Sequence, residues 1–354
     1  MKYKVIDLFS GVGGFSRGFI ENDFEVLLAV EYDKNIAYSY KKNHPHTEVL
    51  NEDITTIDIK SVFEKYKNID VIIGGPPCQG FSQKGNRKII DDERNYLFRK
   101  FNEIVSFVKP KFFVIENVPN IITANQGSFI NEIISYYDDI DYKVSYKVLN
   151  ASDYGVPQNR KRAFIIGTKG ESTFSFPAEN VERVSAWEAI SDLSFLESGE
   201  GSFEQTYSLD PKSKFQINMR KNSLILYNHI STNHSKSAIE KLKMIPENGD
   251  MRDLPKLLRT KSIYSGTWGR IFKNKASVTI TTRFDTPSSG RFTHPELNRA
   301  ITVREAARLQ GFSDDFIFWG SKSSQMKQVG NAVPPLLSKV IASKIKDYLE
   351  RGIK

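Results

Sequence analysis

Seven short apolar runs, spaced by stretches that a helix or a turn can fill, occupy the first half of the chain. That alternation is the pattern of a parallel sheet wrapped by helices. The runs Lys4 to Phe9, Phe24 to Val30, Thr47 to Leu50, Ile69 to Gly74, Lys111 to Ile115, Lys143 to Asn150 and Arg162 to Gly167 read as strands of one doubly wound sheet. The last two are joined by the turn-rich Ser152 to Asn159, so they are expected to pair antiparallel at one edge, making the sheet mixed. From about Phe176 to about Asn274, Pro, Ser, Gly and Asn become common and no helical or strand period stands out, which predicts a second, loop-rich domain. Val303 to Leu309 then reads as a short helix, and Leu336 to Leu349 as a final amphipathic one.

A length of 354 residues suits two domains better than one. With 39% hydrophobic and 26% charged residues, and no repeat or biased tract, the composition is that of an ordinary globular protein. No run approaches the roughly 18 apolar residues of a membrane span. Charges interrupt the first apolar run too early for a signal peptide, so a cytoplasmic location and no membrane partner are expected. The net charge of +8 is modest, but residues 211–275 carry 14 Lys or Arg against 4 Asp or Glu, leaving the rest of the chain near −2. A single cysteine can form neither an intramolecular disulfide nor a multi-cysteine zinc site. His229 and His234 lack a third plausible ligand nearby in sequence, so they do not read as metal-binding and no metal is expected.

The first strand runs into Asp7-Leu8-Phe9-Ser10-Gly11-Val12-Gly13-Gly14-Phe15, a glycine-rich turn at the carboxyl edge of the sheet, where nucleotide-like cofactors bind. A tight connection with no ligand is the plain alternative. A dinucleotide fingerprint would place Gly where this chain has Ser16, so a pyrophosphate fits poorly. The second strand ends at Glu31, where a carboxylate can accept hydrogen bonds from ribose hydroxyls, or simply be solvated. Together with Asp53, placed after the third strand to meet an adenine, these residues favour an adenosine cofactor. The one thiol lies in Gly74-Gly75-Pro76-Pro77-Cys78-Gln79-Gly80-Phe81-Ser82, after the fourth strand and so at the same edge. A structural cysteine belongs on the apolar face of an element, whereas a thiol between Pro-Pro and Gln-Gly sits on a shaped loop, which favours a reactive Cys78.

The run around Cys78 closely resembles the Pro-Cys-Gln signature of DNA cytosine carbon-5 methyltransferases of the bacterial restriction-modification type. Asp7 to Phe15 resembles the family's methyl-donor loop, Glu116-Asn117-Val118 its catalytic glutamate motif, and Gln158-Asn159-Arg160-Lys161-Arg162 its Gln-x-Arg-x-Arg motif. Arg299 to Phe312 and Gln328 to Pro335 resemble its two closing motifs, so the likeness covers nearly the whole chain in the family's order. The resemblance implies a Rossmann-like, S-adenosylmethionine-dependent methyltransferase domain over residues 1–175 and 328–354, with a smaller target-recognition domain and hinge over residues 176–327. It implies S-adenosyl-L-methionine as cofactor and S-adenosyl-L-homocysteine as product. The residues it puts beside the cofactor are Phe9, Gly11, Gly13, Gly14, Glu31, Tyr32, Asp53, Ile54, Pro77, Leu97, Asn331 and Val333.

In the same way Cys78 becomes the thiolate that adds to cytosine carbon 6, turning the inert carbon 5 into an enamine nucleophile. Glu116, kept protonated by a raised pKa, would donate to ring nitrogen 3, and Arg162 would bind the cytosine carbonyl oxygen. Arg160 would steady the catalytic loop or a phosphate. No side chain announces itself as the base that removes the carbon-5 proton. A base inside a duplex cannot reach a sheet-edge pocket, so the target must flip out into a cleft that holds the double-stranded DNA. The polar loop from about Gly80 to Arg94, with Gln83, Gly85 and Lys88, would close over the site. Gln79, Ser82, Lys84, Arg87, Gln158, Arg270, Thr281 and Arg283 are the expected DNA contacts, the last three from the stretches Tyr264 to Arg270 and Thr279 to Arg283.

Three rival readings differ at identifiable residues. A methyltransferase acting on transfer RNA shares the Pro-Cys-Gln core but has no use for the large basic segment. A DNA-binding protein without catalysis would not need Cys78, Glu116 and Arg162 together. An amino-methylating enzyme of the Asp-Pro-Pro-Tyr type lacks the nucleophile that Gly75-Pro76-Pro77-Cys78 provides. A cognate restriction endonuclease and a monomeric state are expected from the family and the compact length, while the DNA target is not encoded in any short motif.

Overall fold

The computed structural model describes residues 2–77, 96–179, 182–260 and 266–352. Contacts divide the chain into two compact units, Met1–Asn150 with Lys161–Glu179 and Leu337–Lys354, and Ala151–Arg160 with Asn180–Leu336. This division departs from the sequence-based boundaries at residues 151–160 and 328–336, which lie in the second unit, and at residues 176–179, which lie in the first.

The first unit is built on the strands β1 (Lys4–Leu8), β2 (Glu25–Val30), β3 (Glu48–Leu50), β4 (Val71–Gly74), β5 (Phe112–Asn117), β6 (Tyr142–Asn150) and β7 (Lys161–Lys169). They form one sheet in the order β3-β2-β1-β4-β5-β7-β6. The first five pair in parallel, and β7 runs antiparallel between β5 and β6. All seven expected strands are present, and the pair flanking the Ser152 turn is antiparallel at one edge. The central β4 and β5 are buried along their whole length, as expected for near-continuous Val, Ile and Phe covered on both faces. Edge strand β6 is buried only at Tyr142 and Leu149 and is exposed from Tyr146 to Val148.

Helices cover the sheet by presenting apolar residues at helical spacing. The helix Tyr96–Val108 buries Phe98, Phe101, Ile104, Val105 and Val108. The ring of Phe113 on β5 stacks on Tyr137 with centroids 3.9 Å apart. The helix Pro335–Arg351 matches the expected final helix, and from Leu337 onward it belongs to the first unit. There Ser338 Oγ donates to the carbonyl of Phe15 at 2.6 Å, and Gly18 gives the room, since a Cβ there would lie 2.4 Å from the Lys339 nitrogen.

The second unit holds a two-stranded antiparallel ladder of β8 (Gly201–Gln205) and β9 (Leu226–Ile230), with short helices at Ala186–Ile190, Lys214–Arg220 and Lys236–Lys243. The sequence predicts a loop-rich domain with no clear helical or strand period here. These elements are short and half-exposed, and they are fixed by side-chain caps such as the Ser185–Glu188 and Ser213–Gln216 capping boxes, not by an apolar period. The helix Val303–Leu309 falls where expected and is capped by Thr302 and Glu305. Among the described residues, no helix is long and apolar enough to cross a membrane.

Candidate active site

In the first unit, the carboxyl ends of β1, β2, β4 and β5 and the start of β7 gather the side chains singled out above. The turn after β1 is left-handed at Phe9, Gly11 and Gly13. Gly13 also has no room for a side chain, because a Cβ would lie 2.4 Å from His44 Nε2. At Gly11 the same direction is open space. Glu31, at the end of β2, accepts from the Gly11 amide at 2.9 Å and from the Asp33 amide at 2.8 Å, so its carboxylate spans the glycine turn and the start of the next helix. Burial raises its pKa. Tyr32 is 74% exposed, Ile54 is buried, and Asp53 Oδ1 accepts from the amide and hydroxyl of Thr55.

Beneath this turn lies a polar chain. Ser16 Oγ donates to Asp7 Oδ2 at 2.6 Å and pairs with Tyr40 Oη at 2.6 Å. Ser16, the residue that breaks the dinucleotide fingerprint, is therefore a ligand for a buried carboxyl. Burial pushes Asp7 up to about 7, against the opposing bond from Ser16. Burial likewise lowers His44 to about 3, with Arg17 adding to the effect. Asp7 Oδ1 is buried with no hydrogen-bond partner.

After β4, Gly74 permits close approach, as a Cβ would lie 2.5 Å from the Leu8 carbonyl oxygen. Asn117 at the end of β5 donates from Nδ2 to the Pro76 carbonyl at 2.9 Å, and its own Oδ1 accepts from the Val118 amide at 2.8 Å. This ties the segment Gly75 to Pro77 to the glutamate motif. Glu116 is buried beside it, within 3.5 Å of where a Gly75 side chain would begin, and forms an ion pair with Arg162 Nε at 2.9 Å. Strand register explains that pair, since Glu116 lies opposite Phe164 and Arg162 is two residues earlier on β7. Pro77 is exposed, and Phe9 and Leu97 pack on the core cluster from its rim. Cys78, Gln79, Ser82, Lys84 and Arg87, with the loop residues Gln83, Gly85 and Lys88, lie outside the described residues, as do Tyr264 and Ser265.

The other singled-out residues belong to the second unit, and several have a different job from the expected one. Gln158, read as a DNA contact, is fully buried: it donates to the Leu309 carbonyl at 3.1 Å, pairs with Gln310, and accepts from the Ile280 amide at 2.9 Å. Arg160 is buried and donates to the carbonyls of Ile280 and Gly330 at 3.2 and 2.9 Å, so it joins chain segments and does not face a phosphate. Arg270 donates all five of its N–H groups to oxygens of Leu242, Ile245, His294, Leu297 and Asn298. A DNA contact from Arg270 is therefore excluded by its own hydrogen bonds. Thr281 and Arg283 are exposed, as a contact requires. Asn331 ends the helix Lys322–Asn331 and is exposed, while Val333 is buried just beyond it.

The motif from Arg299 to Phe312 is a buried charged scaffold. Arg299 pairs with both oxygens of Glu305 at 2.8 and 2.7 Å, and Arg308 pairs with Asp314 at 2.6 Å and with Asp192 at 3.0 Å. His229 is locked between the Thr302 hydroxyl and the Leu193 carbonyl, and His234 accepts from the Ala300 amide. Among the described residues there is no cluster of three His, Cys, Asp or Glu able to hold a metal ion.

The family model described as C-5 cytosine-specific DNA methylase matches residues 3–347. The chain is 42% identical over 351 residues to the type II methyltransferase M1.HphI of Haemophilus parahaemolyticus, covering 98% of this chain and 87% of that one. It is 38% identical over 374 residues to the type II methyltransferase M.DdeI of Desulfomicrobium norvegicum, covering 98% and 89%. Among solved structures, a DNA modification methyltransferase encoded within a prophage of E. coli superposes with a TM-score of 0.80 at 30% identity, over 99% of this chain and 100% of that one. Matched by that family model over residues 3–347 and by those relatives over nearly its whole length, the chain belongs to the C-5 cytosine-specific DNA methylase family as a DNA (cytosine-5-)-methyltransferase.

Proposed function

We propose that this enzyme methylates carbon 5 of cytosine within a short, specific double-stranded DNA sequence, through a flipped-out base and a covalent Cys78 adduct, as the methylase of a restriction-modification system. The observation that carries the reading is the coupling of Glu116 to the segment leading into Cys78: the Asn117 bond to Pro76 and the Arg162 ion pair fix the glutamate beside that segment. S-adenosyl-L-methionine would supply the methyl group as an electrophile. The open left-handed turn at Gly11 and the adjacent Glu31 carboxylate suit an adenosine-bearing, cationic ligand, with Phe9, Gly13, Gly14, Tyr32, Asp53, Ile54, Pro77 and Leu97 around it.

In this reading the Cys78 thiolate adds to cytosine carbon 6 while Glu116 donates to nitrogen 3 and Arg162 donates to the carbonyl oxygen. Electron density then sits at carbon 5, which takes the methyl group. Loss of the carbon-5 proton to a base and expulsion of the Cys78 sulfur restore the aromatic ring. The second unit would act as the recognition domain, with Thr281, Arg283 and the basic segment meeting DNA. Gln79, Ser82, Lys84 and Arg87 would hold the strand around the flipped base. A cognate endonuclease would share the target without needing to bind this chain, which would act as a cytoplasmic monomer.

The test is bisulfite sequencing of plasmid from a methylation-free bacterial host expressing the protein or its Cys78→Ser variant. Protected cytosines in one short context, absent with the variant, are the expected result. A folded wild-type protein that protects no cytosine would overturn the reading.

A further inference from the structure

The second unit contains one charged device that the reaction chemistry does not use. The side chain of Arg252 is 81% exposed, yet it does not hang free. Its Nε donates to Asp250 Oδ1 at 2.9 Å and its Nη2 donates to Asp250 Oδ2 at 2.7 Å, a two-point bond along one edge of the guanidinium. Asp250 is itself immobile. It is buried, accepts from the Arg252 amide at 2.9 Å, and takes a second cationic partner in the buried Arg291 at 2.9 Å. Arg291 in turn donates to the carbonyls of Asn248, Gly249 and Arg270 and lies over the Phe272 ring at 4.2 Å. The hydrogen bonds from Arg252, acting against burial, hold the Asp250 carboxyl down to about 2, so the anchor stays charged.

A long cationic side chain normally loses considerable rotamer entropy when it binds a partner. Here that entropy is already lost in the free protein. The Nε edge is consumed by Asp250, which leaves the outer Nη1/Nη2 end as the fork that points away from its anchor. That end carries two parallel donors, the pattern that matches the O6 and N7 acceptors of guanine in the major groove. Arg252 also lines a cleft of about 830 Å³ whose wall includes Thr267, Thr279 and Thr281. A loosely tethered phosphate contact would need none of this bracing, because phosphates attract a cation from any direction.

We infer that Arg252, braced by Asp250, reads a guanine in the recognition sequence of this enzyme. The inference rests on the proposed action on double-stranded DNA and adds one specificity-determining residue to it. Its test compares wild type, Arg252→Ala and Arg252→Lys by bisulfite sequencing of a plasmid library with randomised bases around the target cytosine, with kcat/KM measured on duplexes differing at single positions. The exposed position keeps both variants folded, which thermal unfolding checks. In both variants, preference for one guanine should fall roughly 5- to 150-fold, the range of one lost bidentate contact, while preferences at other positions persist. Lysine keeps the charge but not the fork, so it should not rescue.

A uniform loss of activity across all sequences, with a shallower salt dependence, would make Arg252 a phosphate contact and overturn the inference. An unchanged sequence preference would overturn it equally. Either result, with wild-type methylation intact, leaves the proposed function standing. Wild-type protein that methylates no duplex would instead bring down the function and this inference together.

Discussion

Replacing Asp7 with Asn removes one titrating group from under the glycine turn while keeping an oxygen to accept from Ser16 Oγ. The wild-type carboxyl has no hydrogen-bond partner at Oδ1 and is pushed by burial from an ordinary 3.8 to about 7. Between those two values the unfolded chain has lost the Asp7 proton and the folded protein still holds it. The unfolded state then binds fewer protons, so folding stability is full below pH 3.8, falls as pH rises, and levels off above about 7. At about 1.36 kcal/mol per pH unit, the full loss is about 4 kcal/mol, and about 2 kcal/mol of it falls between pH 5 and pH 7. Asp7→Asn has no such term. Urea unfolding of the ligand-free protein, followed by circular dichroism from pH 5 to pH 8, should show the variant gaining about 3 kcal/mol relative to wild type over that range. Parallel stability curves for the two proteins would refute the reasoning, because they would mean that Asp7 ionises in the folded state as easily as in the unfolded one.

Three further outcomes are expected. Asn117→Ala removes the bond to the Pro76 carbonyl and should lower the single-turnover methylation rate roughly 10- to 100-fold, the scale of a 1 Å misplacement, with the donor's Kd unchanged by calorimetry. Gly330→Ala would put a Cβ 2.2 Å from the Thr281 carbonyl oxygen, a backbone atom that cannot swing aside, and should destabilise the protein by about 1–3 kcal/mol in urea titrations. Arg270→Ala removes five hydrogen bonds, three of them buried, and should cost about 3 kcal/mol of stability, with no change in the slope of DNA binding against salt.

The sheet was legible because its signal is local. Each of β1 to β7 is a run of Val, Ile, Leu or Phe bounded by turn residues, and the short Ser152 to Asn159 link permits only an antiparallel return. The elements of the second unit were not legible, because capping boxes such as Ser213–Gln216 and the ladder of β8 and β9 leave no strong period in the chain. At the site, the glycine turn, Glu31 and Glu116 could be read from strand ends, since in a parallel sheet those ends share one edge. Asn117 and Ser16 stood inside quoted motifs, yet their partners Pro76 and Asp7 could not be inferred from spacing.

The arginines and Gln158 mark the boundary most clearly. By itself the sequence determined an α/β sheet with a glycine turn and a glutamate at strand ends, because the apolar runs and the turn residues that bound them are properties of neighbouring residues. Only the tertiary structure decided that Gln158, Arg160 and Arg270 are internal ties while Arg252 is a braced, outward-facing fork. A guanidinium looks the same in sequence whether it meets solvent, DNA or a carbonyl. What separates these cases is which backbone oxygens the fold brings to it: Arg160 and Arg270 find theirs up to 170 residues away, whereas Arg252 takes its carboxylate from Asp250, two residues back, and keeps one edge clear.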